Sequence, residues 1–137
     1  MKTKDEILPV FVGMMTDALG SGPKLEKEKL RDYSEALRWV VGLKAPQEVA
    51  SYLALNSTLG IEAVVREYDR DLAENRVKLR TEDEIRARHY FCLGMFYGFG
   101  MSADSKKKEV LEPMMAAYCA AFGWILGSEP FKPPKWE

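Results

Sequence analysis

The sequence has only one histidine and two cysteines among its 137 residues, and its formal net charge is −1. A zinc-protease helix needs two histidines, so a single histidine excludes that class. Cys92 and Cys119 lie in apolar segments without the spacing of a metal or redox pair, and we expect both to be free and buried. With 20 basic and 21 acidic residues, the chain has no overall attraction to nucleic acid or anionic membranes.

Several motifs of catalytic and nucleotide-binding proteins are also absent. No glycine precedes a lysine, as a phosphate-binding loop requires, and no Gly-x-Ser-x-Gly segment occurs. The N-terminal segment lacks a long apolar core and a small-residue cleavage site, which predicts a cytoplasmic protein. We therefore predict no catalytic residue, no metal and no cofactor, and the sequence favours a protein that is not an enzyme.

Helix signals recur along the chain, and no segment alternates long enough to predict a sheet. The Thr3–Glu6 and Thr81–Glu84 segments are capping boxes, which begin the first and fifth predicted helices. Pro23 and Pro46 can each open a helix. Gly60 follows the third helix, and the pattern leaves open whether the third and fourth helices are separate or one kinked helix.

These signals predict an all-α fold, an irregular bundle of five to six helices. The bundle forms a single domain over residues 1–127, followed by a proline-rich tail over residues 128–137. The fourth helix is predicted to end near Val77, and the sixth to reach Gly127.

The last two predicted helices are apolar nearly all round. The chain carries no charged side chain from His89 to Ala103 or from Pro113 to Ser128. Both runs are shorter than the ~20 apolar residues that span a bilayer, so we expect them at the centre of the bundle and not in a membrane. In a simple hairpin, the small residues Gly94 and Gly98 do not meet those of the sixth helix. Each set therefore needs another helix, which comes from this chain or from a second copy.

The leading interpretation is a non-catalytic protein–protein interaction or regulatory module: an inhibitor, an adaptor or a complex subunit. Its partner is another protein or a second copy of the chain. Two tyrosines share a helix face, three lysines stand where positive charge opposes the helix dipole, and the tail holds two aromatics. The candidate contact residues are Tyr90, Tyr97, Lys106, Lys107, Lys108, Phe131 and Trp136.

A second interpretation is a helical protein that binds an apolar small molecule or a cofactor around His89. Phe91, Met95 and Phe96 follow His89 on the same helix and can line such a pocket. A lone histidine on an apolar helix is also typical of a core residue that hydrogen-bonds to backbone or to a carboxylate.

A third interpretation is an accessory subunit that contacts nucleic acid through Lys106–Lys108, Lys132 and Lys135. A helix-turn-helix can be aligned on Glu48–Val65, but the second helix of that alignment is more acidic than basic, and phosphates would repel it. We therefore expect neither nucleic acid nor membrane as a partner.

Glu109 and Glu112 form a Glu-x-x-Glu pair, which can hold a metal ion only with a second carboxylate pair on another helix. Asp71 and Glu74 could supply that second pair.

Overall fold

The computed structural model describes residues 1–18, 24–44, 46–100 and 105–127, without the side chains of residues 18, 24–27, 99, 100, 105–108 and 110. Within these ranges the chain forms helices and no strand. The six helices are α1 (Lys4–Ala18), α2 (Lys24–Val41), α3 (Pro46–Leu59), α4 (Ile61–Ala73), α5 (Glu82–Gly100) and α6 (Ser105–Leu126). The predicted all-α class and irregular bundle are confirmed.

Both predicted capping boxes form. Glu6 N donates to Thr3 Oγ1 over 3.3 Å, and Thr3 N donates to Glu6 Oε1 over 3.2 Å. At the start of α5, the corresponding bonds between Thr81 and Glu84 both measure 3.2 Å. Each box satisfies amide donors that a helix start leaves without intrahelical partners. The hydrogen bond from the backbone of Thr3 lowers the pKa of Glu6, and the one from Thr81 does the same for Glu84.

Gly60 separates α3 from α4, which answers the question that the sequence left open. Its φ of 93° lies in the left-handed region, where a helix cannot continue. The predicted end of α4 near Val77 is wrong, because the helix ends at Ala73 and Asn75 turns the chain with φ 59°. Val77 is buried beyond this turn.

The segment that follows α4 returns to the end of α2. Arg80 N donates to Val40 O over 2.8 Å, and the two segments come very close at Gly42. Gly42 has φ 77°, and a Cβ at this position would collide with the backbone of Lys78. A residue without a side chain is therefore required at this approach.

Packing of α2 against α6 links the first four helices to the last two. α1 packs against α2, α3 and α4; α2 also packs against α6, and α6 against α5. Large side chains that are fully buried include Ile7, Leu8, Phe11, Met14, Leu30, Leu37, Leu43, Tyr68, Ile85 and Ile125. Both apolar helices were expected at the centre. α6 does lie between two neighbours, whereas α5 packs mainly against α6 and leaves one side exposed.

Among the helical residues that the structure describes, no helix combines the length and the hydropathy needed to cross a bilayer. Cys92 and Cys119 are both buried and free, as predicted.

Candidate interaction surface

α5 has two faces of contrasting exposure. Ile85, His89 and Cys92 are buried, with exposed fractions of 0%, 8% and 2%. Tyr90 and Tyr97 are 64% and 67% exposed. Since successive helical residues are about 100° apart, the buried and exposed residues lie on opposite sides of the helix.

The exposed side has a regular arrangement. Gly94 and Gly98 lie along its middle, and a Cβ added to either meets no atom within 4 Å. By the same helical spacing, Tyr90 and Tyr97 lie on one flank of the glycines. Phe91 and Met95, which are 57% and 36% exposed, lie on the other. Ala87 is also exposed and lies in line with the two glycines, nearer the start of the helix. The α5 face is the set Ala87, Tyr90, Phe91, Gly94, Met95, Tyr97 and Gly98.

The α5 face contains no charged side chain. The charged side chains that border it on the same helix are Asp83, Arg86 and Arg88. The Arg88 guanidinium lies over the Trp39 ring at 5.0 Å. From their exposed fractions, the four large side chains leave on the order of 500 Å² of surface in water. The largest apolar patch of an ordinary monomer measures roughly 300–600 Å² and is often functional. The α5 face thus matches the largest apolar patches of ordinary monomers in size, and it carries no charged side chain.

The predicted contact residues divide into three groups. Tyr90 and Tyr97 lie together on the α5 face. Lys106–Lys108 belong to the first turns of α6, but their side chains are outside the described part of the chain. Phe131 and Trp136 lie outside the described residues altogether, as do Lys132 and Lys135. The third interpretation depends on these lysines and stays a prediction.

In the described part of the chain, the predicted pocket residues Phe91 and Phe96 line different cavities. His89 is buried, and its ring stacks near that of Tyr90 with centroids 6.3 Å apart. Phe91 lines a cavity of about 210 Å³ that Trp39, Arg88 and Phe122 also line. The remaining candidates, Met95 and Phe96, do not line this cavity.

The carboxylate pairs of the metal hypothesis lie in different environments. Glu109 and Glu112 line a cavity with Phe96. Asp71 accepts a short hydrogen bond from the Tyr52 hydroxyl between α3 and α4. In the described ranges, no group of three His, Cys, Asp or Glu side chains is placed to hold a metal ion.

Sequence reasoning missed three polar contacts that fix neighbouring helices. Arg80 and Arg88 both lie over the Trp39 ring, at 4.7 and 5.0 Å from its centroid. Burial and the hydrogen bond to Asp71 raise the pKa of Tyr52 well above its ordinary range. These contacts join residues far apart in the sequence, so local spacing gives no signal for them.

Sequence reasoning groups Phe91 and Met95 with His89 as pocket residues. The structure exposes both on the α5 face, and Phe91 also lines the cavity beside Trp39. A helical projection centred on Gly94 and Gly98 would have grouped them with Tyr90 and Tyr97. Comparison with known proteins adds no assignment, because no family model, curated protein or solved structure matches this chain.

Proposed function

We propose that this chain is a non-catalytic protein–protein interaction module and that the α5 face is its binding surface. The observation that carries this proposal is the exposure of four large apolar side chains on one uncharged helix face. Aromatic and methionine side chains are enriched at protein interfaces, where charged side chains are depleted from the core. The rest of the chain supplies the scaffold that holds α5 in place.

The identity of the exposed residues supports a surface that contacts a partner over one that faces only solvent. Tyrosine buries a large ring while its hydroxyl can stay hydrated at the rim of an interface. Tyr90 and Tyr97 form one flank and Phe91 lies on the other, so a partner would contact aromatic rings on both sides of the line of glycines. Such a surface suits a partner helix or an extended apolar segment.

A paired substitution tests this function. Tyr90→Glu combined with Tyr97→Glu places two charges on the α5 face, and burying them against an apolar partner would be strongly unfavourable. Ala54→Glu combined with Thr58→Glu places the same charges on exposed positions of α3 and serves as the matched control. Circular dichroism checks that both variants keep their helices.

The measurement is native mass spectrometry of each protein purified from its own host. We expect the wild-type chain and the α3 variant to retain a bound protein chain and the α5 variant to lose it. Equal binding by all three would reject the proposal, as would recovery of all three as single chains at every protein concentration measured.

A second candidate function is the binding of a small apolar molecule. The cavity of about 210 Å³ beside Phe91 favours it, because Trp39, Met115 and Phe122 give it apolar walls. Its volume is below the roughly 300–1,000 Å³ of ordinary ligand pockets. A thermal-shift series with apolar ligands tests this candidate, and the Phe91→Ala variant should lose any shift that the wild-type chain shows.

A further inference from the structure

We propose that the partner at the α5 face is a second copy of this chain, bound through antiparallel α5 helices that cross at Gly94. This inference rests on the proposed function, because it names the occupant of the same surface. Three properties of the α5 face support a second copy: its pattern matches itself, its area suits a small dimer, and its charge favours one orientation.

The self-complementarity follows from the spacing of large and small residues. A two-fold axis through Gly94 pairs residues whose numbers are equally far from 94 in opposite directions. The same axis keeps each flank on its own side, so the tyrosine flank of one copy lies against the tyrosine flank of the other, with Tyr90 near Tyr97. Phe91 and Met95 likewise lie against the same two residues of the other copy, and the two lines of glycines meet between the flanks.

The open space at the glycines permits the close approach that this pairing needs. No atom lies within 4 Å of a Cβ built at Gly94 or Gly98, so the channel between the flanks is unfilled. Glycines at a helix crossing let two backbones approach closely, and flanking aromatic rings then pack beside the partner helix.

The area agrees with a weak but specific dimer. The four large side chains expose on the order of 500 Å² in each copy, so pairing two faces removes about 1,000 Å² from water. This total lies at the low end of specific interfaces, where weak and transient complexes are found. We therefore expect a dimer that dissociates on dilution.

Charge favours the antiparallel orientation. The first turn of α5 contains Glu82, Asp83 and Glu84. Glu82 and Glu84 are paired with Arg86 and Arg80, so the repulsion between two such turns in a parallel pair would come mainly from Asp83. An antiparallel pair places the two turns at opposite ends and aligns the two helix dipoles favourably.

The first experiment measures the oligomeric state across a concentration series. Sedimentation velocity of the wild-type chain should show a reversible shift from one copy to two with rising concentration. Gly94→Gln introduces a longer side chain at the crossing and should weaken the dimer at least tenfold. Ala54→Gln adds a similar side chain to an exposed position of α3 and should leave the dimer unchanged. Because glutamine favours helix more than glycine does, Gly94→Gln should not unfold α5.

The second experiment tests the axis itself. At a two-fold crossing the same residue of both copies lies side by side, so Gly94→Cys should form a disulfide between copies under mild oxidation. Ala54→Cys, on α3, should not. The native thiols Cys92 and Cys119 are buried, so the wild-type chain supplies the background.

The outcomes separate this inference from the proposed function. A dimer that Gly94→Gln weakens and Gly94→Cys traps supports the second copy. A wild-type chain that holds one copy of a different protein on the α5 face overturns the second copy and leaves the interaction module intact. A chain that stays single at every concentration, and that binds no protein in its host, overturns both.

Discussion

Phe11 and Phe91 are the same amino acid in opposite environments. Phe11 in α1 is 1% exposed inside the core, whereas Phe91 in α5 is 57% exposed. The first four helices bury most of their large apolar side chains, with Leu59 as an exposed exception, whereas α5 buries only part of its own. Apolar content therefore has two uses in this chain: stability in the core, and a contact surface on the α5 face.

The largest effect should come from truncating Phe11, with the same truncation of Phe91 as the comparison. Phe11→Ala removes a fully buried ring and leaves a cavity, which should lower the free energy of unfolding by about 3–5 kcal/mol. Phe91→Ala should change it by less than about 1 kcal/mol in the isolated chain, since most of that ring is already in water. Urea unfolding followed by circular dichroism measures both. Equal losses would show that the α5 face is part of the core.

Alanine substitutions of two glycines should change the free energy of unfolding in opposite directions. Gly42→Ala places a Cβ against the backbone of Lys78 at a positive φ, and it should destabilise the fold by roughly 2–3 kcal/mol. Gly94→Ala meets no neighbouring atom in a regular helix and should stabilise the isolated chain by about 0.5–1 kcal/mol. Thermal unfolding at a concentration low enough to keep a single copy tests the pair. Destabilisation by Gly94→Ala would mean that this position is already covered.

These contrasts show which parts of the fold local sequence can predict. The capping boxes at Thr3 and Thr81 predict helix starts, because the side chain and the amide that it satisfies are three residues apart. The end of α4 is different, since Asn75 turns the chain to let Val77 enter the core and Arg80 reach Val40. That turn depends on residues of α2 that lie more than thirty positions earlier.

The α5 face was only half predictable for a similar reason. A helix that is apolar nearly all round gives no periodic signal for the side that packs against its neighbour. The spacing of Tyr90 and Tyr97, seven residues or two helical turns, predicts that they share a face, and both are exposed. The pattern does not say that Ile85 and Cys92 lie on the buried side of α5, so it does not add Phe91 and Met95 to that face.

A smaller effect should distinguish a buried tyrosine from an exposed one. The Tyr68 hydroxyl donates to Val41 O over 2.7 Å in the core. Tyr68→Phe leaves that carbonyl without its hydroxyl donor and should cost about 1–2 kcal/mol. Tyr97→Phe on the α5 face removes a hydroxyl from an exposed side chain and should cost nothing measurable. Chemical unfolding at neutral pH measures both, and a similar loss in the two variants would contradict the assigned environments.

The smallest predicted effect concerns pH and a tyrosine of the inner helices. Burial, followed by the hydrogen bond to Asp71, raises the pKa of Tyr52, so the folded chain keeps a proton that the unfolded chain releases above about pH 10. Stability from this residue is complete below that pH and decreases as the pH rises further, by at most about 1.4 kcal/mol per pH unit.

Tyr52→Phe removes the hydroxyl whose ionisation causes this pH dependence of stability. Its free energy of unfolding should start lower, because the bond to Asp71 is lost, and should then decrease less steeply with pH than that of the wild-type chain. Urea unfolding at pH 9, 10 and 11 measures the two slopes. Burial also raises the pKa of Tyr68, so the variant should keep a residual slope, and Tyr52→Phe with Tyr68→Phe should flatten it further. Parallel slopes for wild type and Tyr52→Phe would mean that the Tyr52 hydroxyl is hydrated in the folded chain, and that α3 and α4 are as open to water at this point as the α5 face.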